Sequence, residues 1–242
     1  LAQAGLISLE KPFSISGKSE LMAVVDRTPK VKKRAIFVPF CMFCAALLVC
    51  ACAMLRTDKA VYYSINYPTP VGAKEEPTPI RDTLMIYKFL VAPDVDVDTI
   101  VVKSQTGKEI TREARWEENP ADAITELLIR DFQDSKMFAN TVSQISDAKY
   151  RYALEGTLAT MEGRDKDGKI RALIGFEITL IDFEPRLGGK KVILSRKYSM
   201  EKPSKDSRSA SLVNALNQGL REFSERLRAD VLAAVKSRVN LY

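Results

Sequence analysis

The sequence contains no histidine. That removes the commonest general base and metal ligand, and with them every Ser-His or Cys-His nucleophile arrangement. No Walker loop, Rossmann glycine fingerprint or nucleophile elbow is present either. Asp94, Asp96 and Asp98 alternate in PDVDVD, and hard cations take several carboxylate oxygens. The run lacks the glycine and distal glutamate of a calcium loop, so Asp94 to Asp98 reads as a turn-like acidic patch, its alternation putting the three on one solvated strand face, with no metal. The segment DKDG, Asp165 to Gly168, reads as turn chemistry. Trp116, the only tryptophan, can close a core or anchor an interface. Asp and Glu are plentiful, yet no pair stands out by its setting as an acid/base couple. The reading is a chain that is not an enzyme.

All four cysteines, Cys41, Cys44, Cys50 and Cys52, fall within or at the end of one apolar run. Cys41 and Cys44 have redox or metal spacing, but a metal site needs further ligands in a polar shell. The run from Ala35 to Cys52, AIFVPFCMFCAALLVCAC, follows Lys30, Lys32, Lys33 and Arg34. A basic n-region, an apolar h-region and a small-residue exit make an export signal. The leader is read as residues 1–51, with its n-region at 27–34 and its apolar segment at 35–51. Val49, Cys50, Ala51 and Cys52 resemble a bacterial lipobox. The resemblance implies acylation of the Cys52 thiol and a cut just before it. A lipobox at Leu47 to Cys50 fits worse, with the large Val49 beside the cut. Three other readings compete: an uncleaved anchor from Ala35 to Leu55, secretory cleavage after Ala53, and a buried core helix, which four cysteines behind four positive charges make the weakest. Met22 would start a leader of more usual length, so residues 1–21 are set aside.

Of the 242 residues, 191 follow the leader, enough for one domain with a real core. The formal charge of +6 comes mostly from the leader, because Cys52 to Tyr242 carries 30 basic and 28 acidic groups. A nearly neutral domain without a recognition motif implies no nucleic-acid partner. It also holds no disulfide and must be stabilised by its core. Cys52 to Ala60 form a short tether, of which the eight residues before Val61 reach at most about 30 Å, and residues 61–242 form the domain.

The elements are read from period. Val61 to Tyr67, VYYSINY, alternates as a strand. Four prolines and Gly72 make Tyr67 to Pro79 a loop or linker. Thr83 to Val91 is a second strand, apolar enough to be covered on both faces, and Thr99 to Lys103 a short third. Asn119, Pro120 and Asp122 start a helix with Ile124, Leu127, Leu128, Ile129 and Phe132 on its apolar face, ending near Asp134 to Lys136. Tyr152, Leu154, Gly156, Leu158 and Thr160 share one face of a strand; Glu162 to Lys169 turns, and Ile170 to Phe183 returns. Gly188 and Gly189 turn again before Lys191 to Met200, giving three successive antiparallel strands. A final helix from Ser207 or Ser209 to Arg238 carries the stripe Leu212, Leu216, Leu220, Phe223, Leu227, Val231 and Val235. The fold class is α+β: an antiparallel or mixed sheet of about five to six strands with two main helices packed on one face.

This order of features resembles the auxiliary lipoprotein family of bacterial ABC-type transport systems, over roughly residues 50–235. The segments that carry it are the lipobox, YYSINYP, TLMIYKFLVAP, RWEENPADAITELLIRDFQDSKMF, YALEGTLATME and FEITLIDFE. Tyr62, Tyr63, Trp116, Pro120, Phe138 and Gly156 are its individual matching points. The segment IVVKS, from Ile100 to Ser104, departs by lacking a Tyr-Arg pair often found there. The resemblance implies a periplasmic lipoprotein without turnover of its own, working beside an MCE-domain protein, an ABC permease and an ATPase to move lipid between inner and outer membranes. Its site residues would be Cys52 for lipid attachment and Tyr62, Tyr63, Trp116 and Pro120 for partner binding. It implies no cofactor beyond the acyl lipid on Cys52, and copies of the chain could assemble as a homo-oligomer. Ala53 is not the aspartate that retains such proteins at the inner membrane, so outer-membrane placement is expected, with an inner-membrane anchor as the alternative. A lipoprotein regulator of a cell-envelope synthase or secretion complex fits the same architecture.

Overall fold

In chain order the elements are β1 (Val61–Tyr63), β2 (Ile80–Ile86), β3 (Leu90–Val91), β4 (Val102–Lys103), β5 (Glu109–Ile110), β6 (Ala114–Trp116), α1 (Pro120–Asp134), β7 (Phe138–Ser143), β8 (Tyr152–Lys166), β9 (Lys169–Asp182), β10 (Lys191–Pro203) and α2 (Ser209–Val239). The computed structural model describes residues 60–69, 80–107, 109–110, 114–184 and 189–239. The leader, Cys52 and the tether up to residue 59 lie outside the described residues. Asp58–Tyr242 form one compact unit.

The long hairpin β8–β9 is the backbone of the sheet. Its turn is Asp167 (φ +55°) and Gly168 (φ +77°), a pair of left-handed residues whose twist suits two antiparallel strands. The expected turn from Glu162 to Lys169 therefore contracts to two residues, and its flanks stay in the strands. β10 pairs antiparallel with β9 along its length. On its other edge β8 takes β2, β3 and β4 in succession, all parallel, and β7 lies parallel beyond β2. The principal sheet is thus mixed and runs β10-β9-β8-β2-β7, with β3, β4 and β5 as short additions that raise it to eight strands. A separate parallel pair joins β1 to β6.

One bulge corrects the inward face of β8. Leu158 pairs with Phe176 and Thr160 with Gly175, leaving Ala159 extra. An added residue inverts the alternation, so Met161 rather than Thr160 is buried with Tyr152, Leu154 and Leu158. The strand expected from Thr83 to Val91 is also broken. Leu84, Met85 and Ile86 are buried in succession, as expected of a strand covered on both faces. The chain then leaves the ladder so that the Phe89 ring lies over Gly156. A Cβ there would stand 2.4 Å from that ring, so this close approach requires glycine.

Both helices cover one face of the sheet. α1 starts where Asn119 Oδ1 accepts from the Ala121 N–H, at 2.9 Å, with Pro120 next in line. It ends at Asp134, past which Lys136 is left-handed (φ +50°). Its Ile124, Leu128 and Phe132 are buried, while Leu127 and Ile129 lie at the edge. All seven stripe residues of α2 are buried. Phe223 stacks on Phe176 of β9, ring centres 3.9 Å apart, and meets Tyr198 of β10 edge-on at 5.3 Å. Each such large side chain contributes about 1.5–3 kcal/mol by leaving water.

Candidate functional site

The first described segment, residues 60–69, is strapped onto the rest of the domain. It pairs first as β1, with Tyr62 opposite Arg115 and Tyr63 opposite Trp116. The regular strand ends at Tyr63 rather than Tyr67, yet the alternation persists, and Ile65 and Tyr67 are buried. Polar pins replace the ladder. The Glu117 N–H donates to the Tyr63 carbonyl at 3.0 Å, and the Ser64 hydroxyl donates to the Glu117 carboxylate. The Asn66 N–H donates to Asn217 Oδ1 of α2 at 3.3 Å. The Thr69 hydroxyl donates to Asp134 of α1 at 3.2 Å.

The deepest pin is Asp131, whose carboxylate is wholly buried. Its Oδ2 accepts from the Tyr67 hydroxyl at 2.8 Å and from the Ser224 hydroxyl of α2 at 2.6 Å. Its Oδ1 accepts from Arg130 Nε and Nη2 at 3.1 and 2.9 Å. The Arg130 guanidinium also lies 5.1 Å from the centre of the Tyr67 ring. Burial, and then the negative charge of Asp131, push the Tyr67 phenol well above its ordinary range. Tyr67 therefore stays protonated as a donor, and one carboxylate joins strap, α1 and α2.

Two other buried carboxylates are committed in the same way. Asp182, at the end of β9, receives Arg151 Nε at 2.9 Å and Nη2 at 3.3 Å, and Arg238 of α2 lies 3.5 Å away. Arg151 also reaches Asp82 and Glu184. Glu162 lies between Lys103 at 2.7 Å and Arg164 at 2.6 Å, beside an open groove of about 480 Å³. Each of the three is paired with a cation, which makes it a structural clamp. Asp94, Asp96 and Asp98 do not share a strand face. They lie in turns, where Asp96 Oδ1 accepts from the Asp98 and Thr99 N–H groups at 2.8 Å each. Among the described residues, no group of His, Cys, Asp or Glu is arranged to hold a metal.

Of the four residues expected to bind a partner, Tyr63 stands opposite Trp116 across the β1–β6 pair, Tyr62 stands opposite Arg115, and Pro120 opens α1. Tyr62 is 62% exposed, whereas Tyr63 is half-buried, Trp116 is 6% exposed, and Pro120 is buried in the first turn of α1. Only the Tyr62 ring among them reaches solvent freely. Cys52 lies outside the described residues. Tyr67, Asp131 and Ser224 escaped the sequence reading. The signal was an aspartate set inside the apolar face of LLIRDF, in a helix whose neighbours at 128 and 132 are core.

Residues 63–227 match the family model described as ABC-type transport auxiliary lipoprotein component. No curated protein matches the sequence significantly. Among solved structures, protein XCC0632 from Xanthomonas campestris, of the DUF330 family, superposes with a TM-score of 0.63 at 18% identity, covering 74% of this chain and 99% of that one. A second, uncharacterised protein reaches a TM-score of 0.51 at 13% identity, over 70% of this chain and 97% of that one. At such identities the likeness is one of fold.

Proposed function

The chain belongs to the ABC-type transport auxiliary lipoprotein family, and from that membership we propose that it is the acyl-anchored docking subunit of an MCE-type lipid transport system. The family is a transport auxiliary family rather than an enzyme family, and lipoprotein membership implies a membrane-anchored place in the cell envelope. Among the described residues, no helix is long and apolar enough to cross a membrane. In this reading Cys52 carries the acyl lipid and Ala53 directs the protein to the outer membrane. The domain meets an MCE-domain protein whose permease and ATPase supply the energy, and lipid passes between the two membranes.

The observation that carries the reading is the strap. A docking subunit must transmit position from its anchor to its partner surface, and pins at residues 64, 66, 67 and 69 fix the anchor's point of entry in the frame of the domain. The commitment of every buried carboxylate described above supports a role in binding rather than turnover. The test is affinity purification of the full-length protein from cross-linked host membranes, with the bound proteins identified by mass spectrometry. Recovery of an MCE-domain protein with its permease and ATPase is expected. Recovery of an envelope synthase or secretion pore without them contradicts the proposal.

A further inference from the structure

The β1–β6 pair presents an outward row in which Tyr62, Arg115 and Thr99 are neighbours, because Tyr62 pairs with Arg115 and Arg115 bridges to Thr99. Tyr62 is 62% exposed, Arg115 is exposed, and Val61 beside them is 52% exposed at the start of the strand. Of the large apolar side chains left in water, these two stand where the tether arrives. We propose that this row is a second membrane contact, resting in the interfacial zone of the bilayer that holds the anchor. The inference builds on the anchoring of the chain at or before Cys52.

Three features favour a lipid surface as the occupant. Eight residues between Cys52 and Val61 span at most about 30 Å, so this end of the domain stays near the bilayer. The pins from Ser64 to Thr69 prevent the strap from peeling away and lengthening that tether. Tyrosine suits the headgroup level because its ring is apolar and its hydroxyl is not. An arginine can lay its stem on apolar surface while its guanidinium meets phosphate. Exposed acidic groups also stand on this end: Asp96 and Asp98 beyond Thr99, and Glu117 and Glu118 after Trp116. They oppose an anionic surface, so the contact is suited to zwitterionic lipid.

The test places an environment-sensitive fluorophore at Thr99→Cys in the full-length, membrane-extracted protein, reconstituted in phosphatidylcholine vesicles containing spin-labelled lipid. The signal of equally treated protein lacking the introduced cysteine is subtracted, because Cys41, Cys44, Cys50 and Cys52 can also react. A matched probe at Val192→Cys serves as reference. Val192 is similarly exposed, at 55%, but pairs with Ile181 at the Asp182 end of β9, where α2 finishes. The expected result is quenching at position 99 roughly twofold or more above that at 192. Adding Tyr62→Ser should lower it, and so should replacing part of the zwitterionic lipid with phosphatidylglycerol. Equal quenching at the two positions overturns the inference, as does shielding at 99 that arises only when a partner protein is added. Intact mass of the same sample reads the anchor separately. A chain without acyl mass but quenched at 99 overturns acylation and leaves the contact standing, whereas an acylated chain without differential quenching does the reverse.

Discussion

Asp131 and Asp182 are both fully buried, yet they are held by different chemistry. Asp182 at the end of the sheet is met by two arginines, Arg151 and Arg238, which lock β8, β9 and the last turn of α2 to one another. Asp131, under the middle of α2, is met by one arginine and two neutral hydroxyls, and one of the hydroxyls belongs to the strap. Charge pairing clamps the framework to itself; neutral hydrogen bonds clamp the entering segment to the framework. The difference predicts that damage at Asp182 appears as global instability, and damage at Asp131's neutral partners as local release of the strap.

The largest effect should follow Asp182→Ala, which leaves Arg151 and Arg238 without their shared counter-ion. Arg151 keeps Asp82 and Glu184, so a loss of about 1.5–3 kcal/mol is expected from chemical denaturation, with residues 60–69 no more exposed to hydrogen exchange than the rest of the domain. Tyr67→Phe should cost about 1–2 kcal/mol, because the buried Asp131 side chain loses one of its hydrogen-bond donors. Here exchange should rise first in residues 60–69. If the two variants loosen the same residues, the contrast between the clamps fails.

The phenol also gives the comparison a pH signature. Tyr67 is raised in the folded state above its unfolded value near 10. Its contribution is fully present below pH 10 and is lost as pH climbs from there toward the folded value. Wild type should therefore lose stability more steeply than Tyr67→Phe above pH 10, by up to about 1.4 kcal/mol per pH unit. Parallel slopes would remove Tyr67 from the account.

Arg228 offers a third case. It is 7% exposed, and among the described residues its Nε has no hydrogen-bond partner. Arg228→Met should leave stability unchanged or raise it by about 1 kcal/mol, the opposite sign to a break at Asp182. The smallest effect belongs to Asn217→Ala, which removes one long, exposed bond to the Asn66 N–H. A loss below about 0.5 kcal/mol is expected, with detectable fraying of the strap.

Local signals were readable where they repeat. The α2 stripe recurs every three or four residues, and all of it is core. Asn119 and Pro120 marked the start of α1 because capping is a property of adjacent residues. Three antiparallel strands followed from alternation and turn residues. The parallel pairings of β8 with β2, β3 and β4 were not readable, since their registers join segments about sixty to seventy residues apart without a turn between them. β5, β6 and β7 were missed because two to six residues carry too little period. The Ala159 bulge hid in an unbroken alternation. At the site, the pairing of Tyr63 with Trp116 joins segments about fifty residues apart, the knot around Asp131 joins three distant segments, and only the odd placement of a charge among Leu128, Ile129 and Phe132 hinted at it.

The strap matters to function only if a membrane anchor lies at its far end. Intact-mass analysis of the full-length protein extracted from host membranes tests that most directly. The expected species begins at Cys52 and carries the added mass of acyl chains, and Cys52→Ser should remove that mass and leave a soluble chain or an uncleaved precursor. A wild-type chain that keeps residues before Cys52 and carries no acyl mass would contradict the acyl-anchored account.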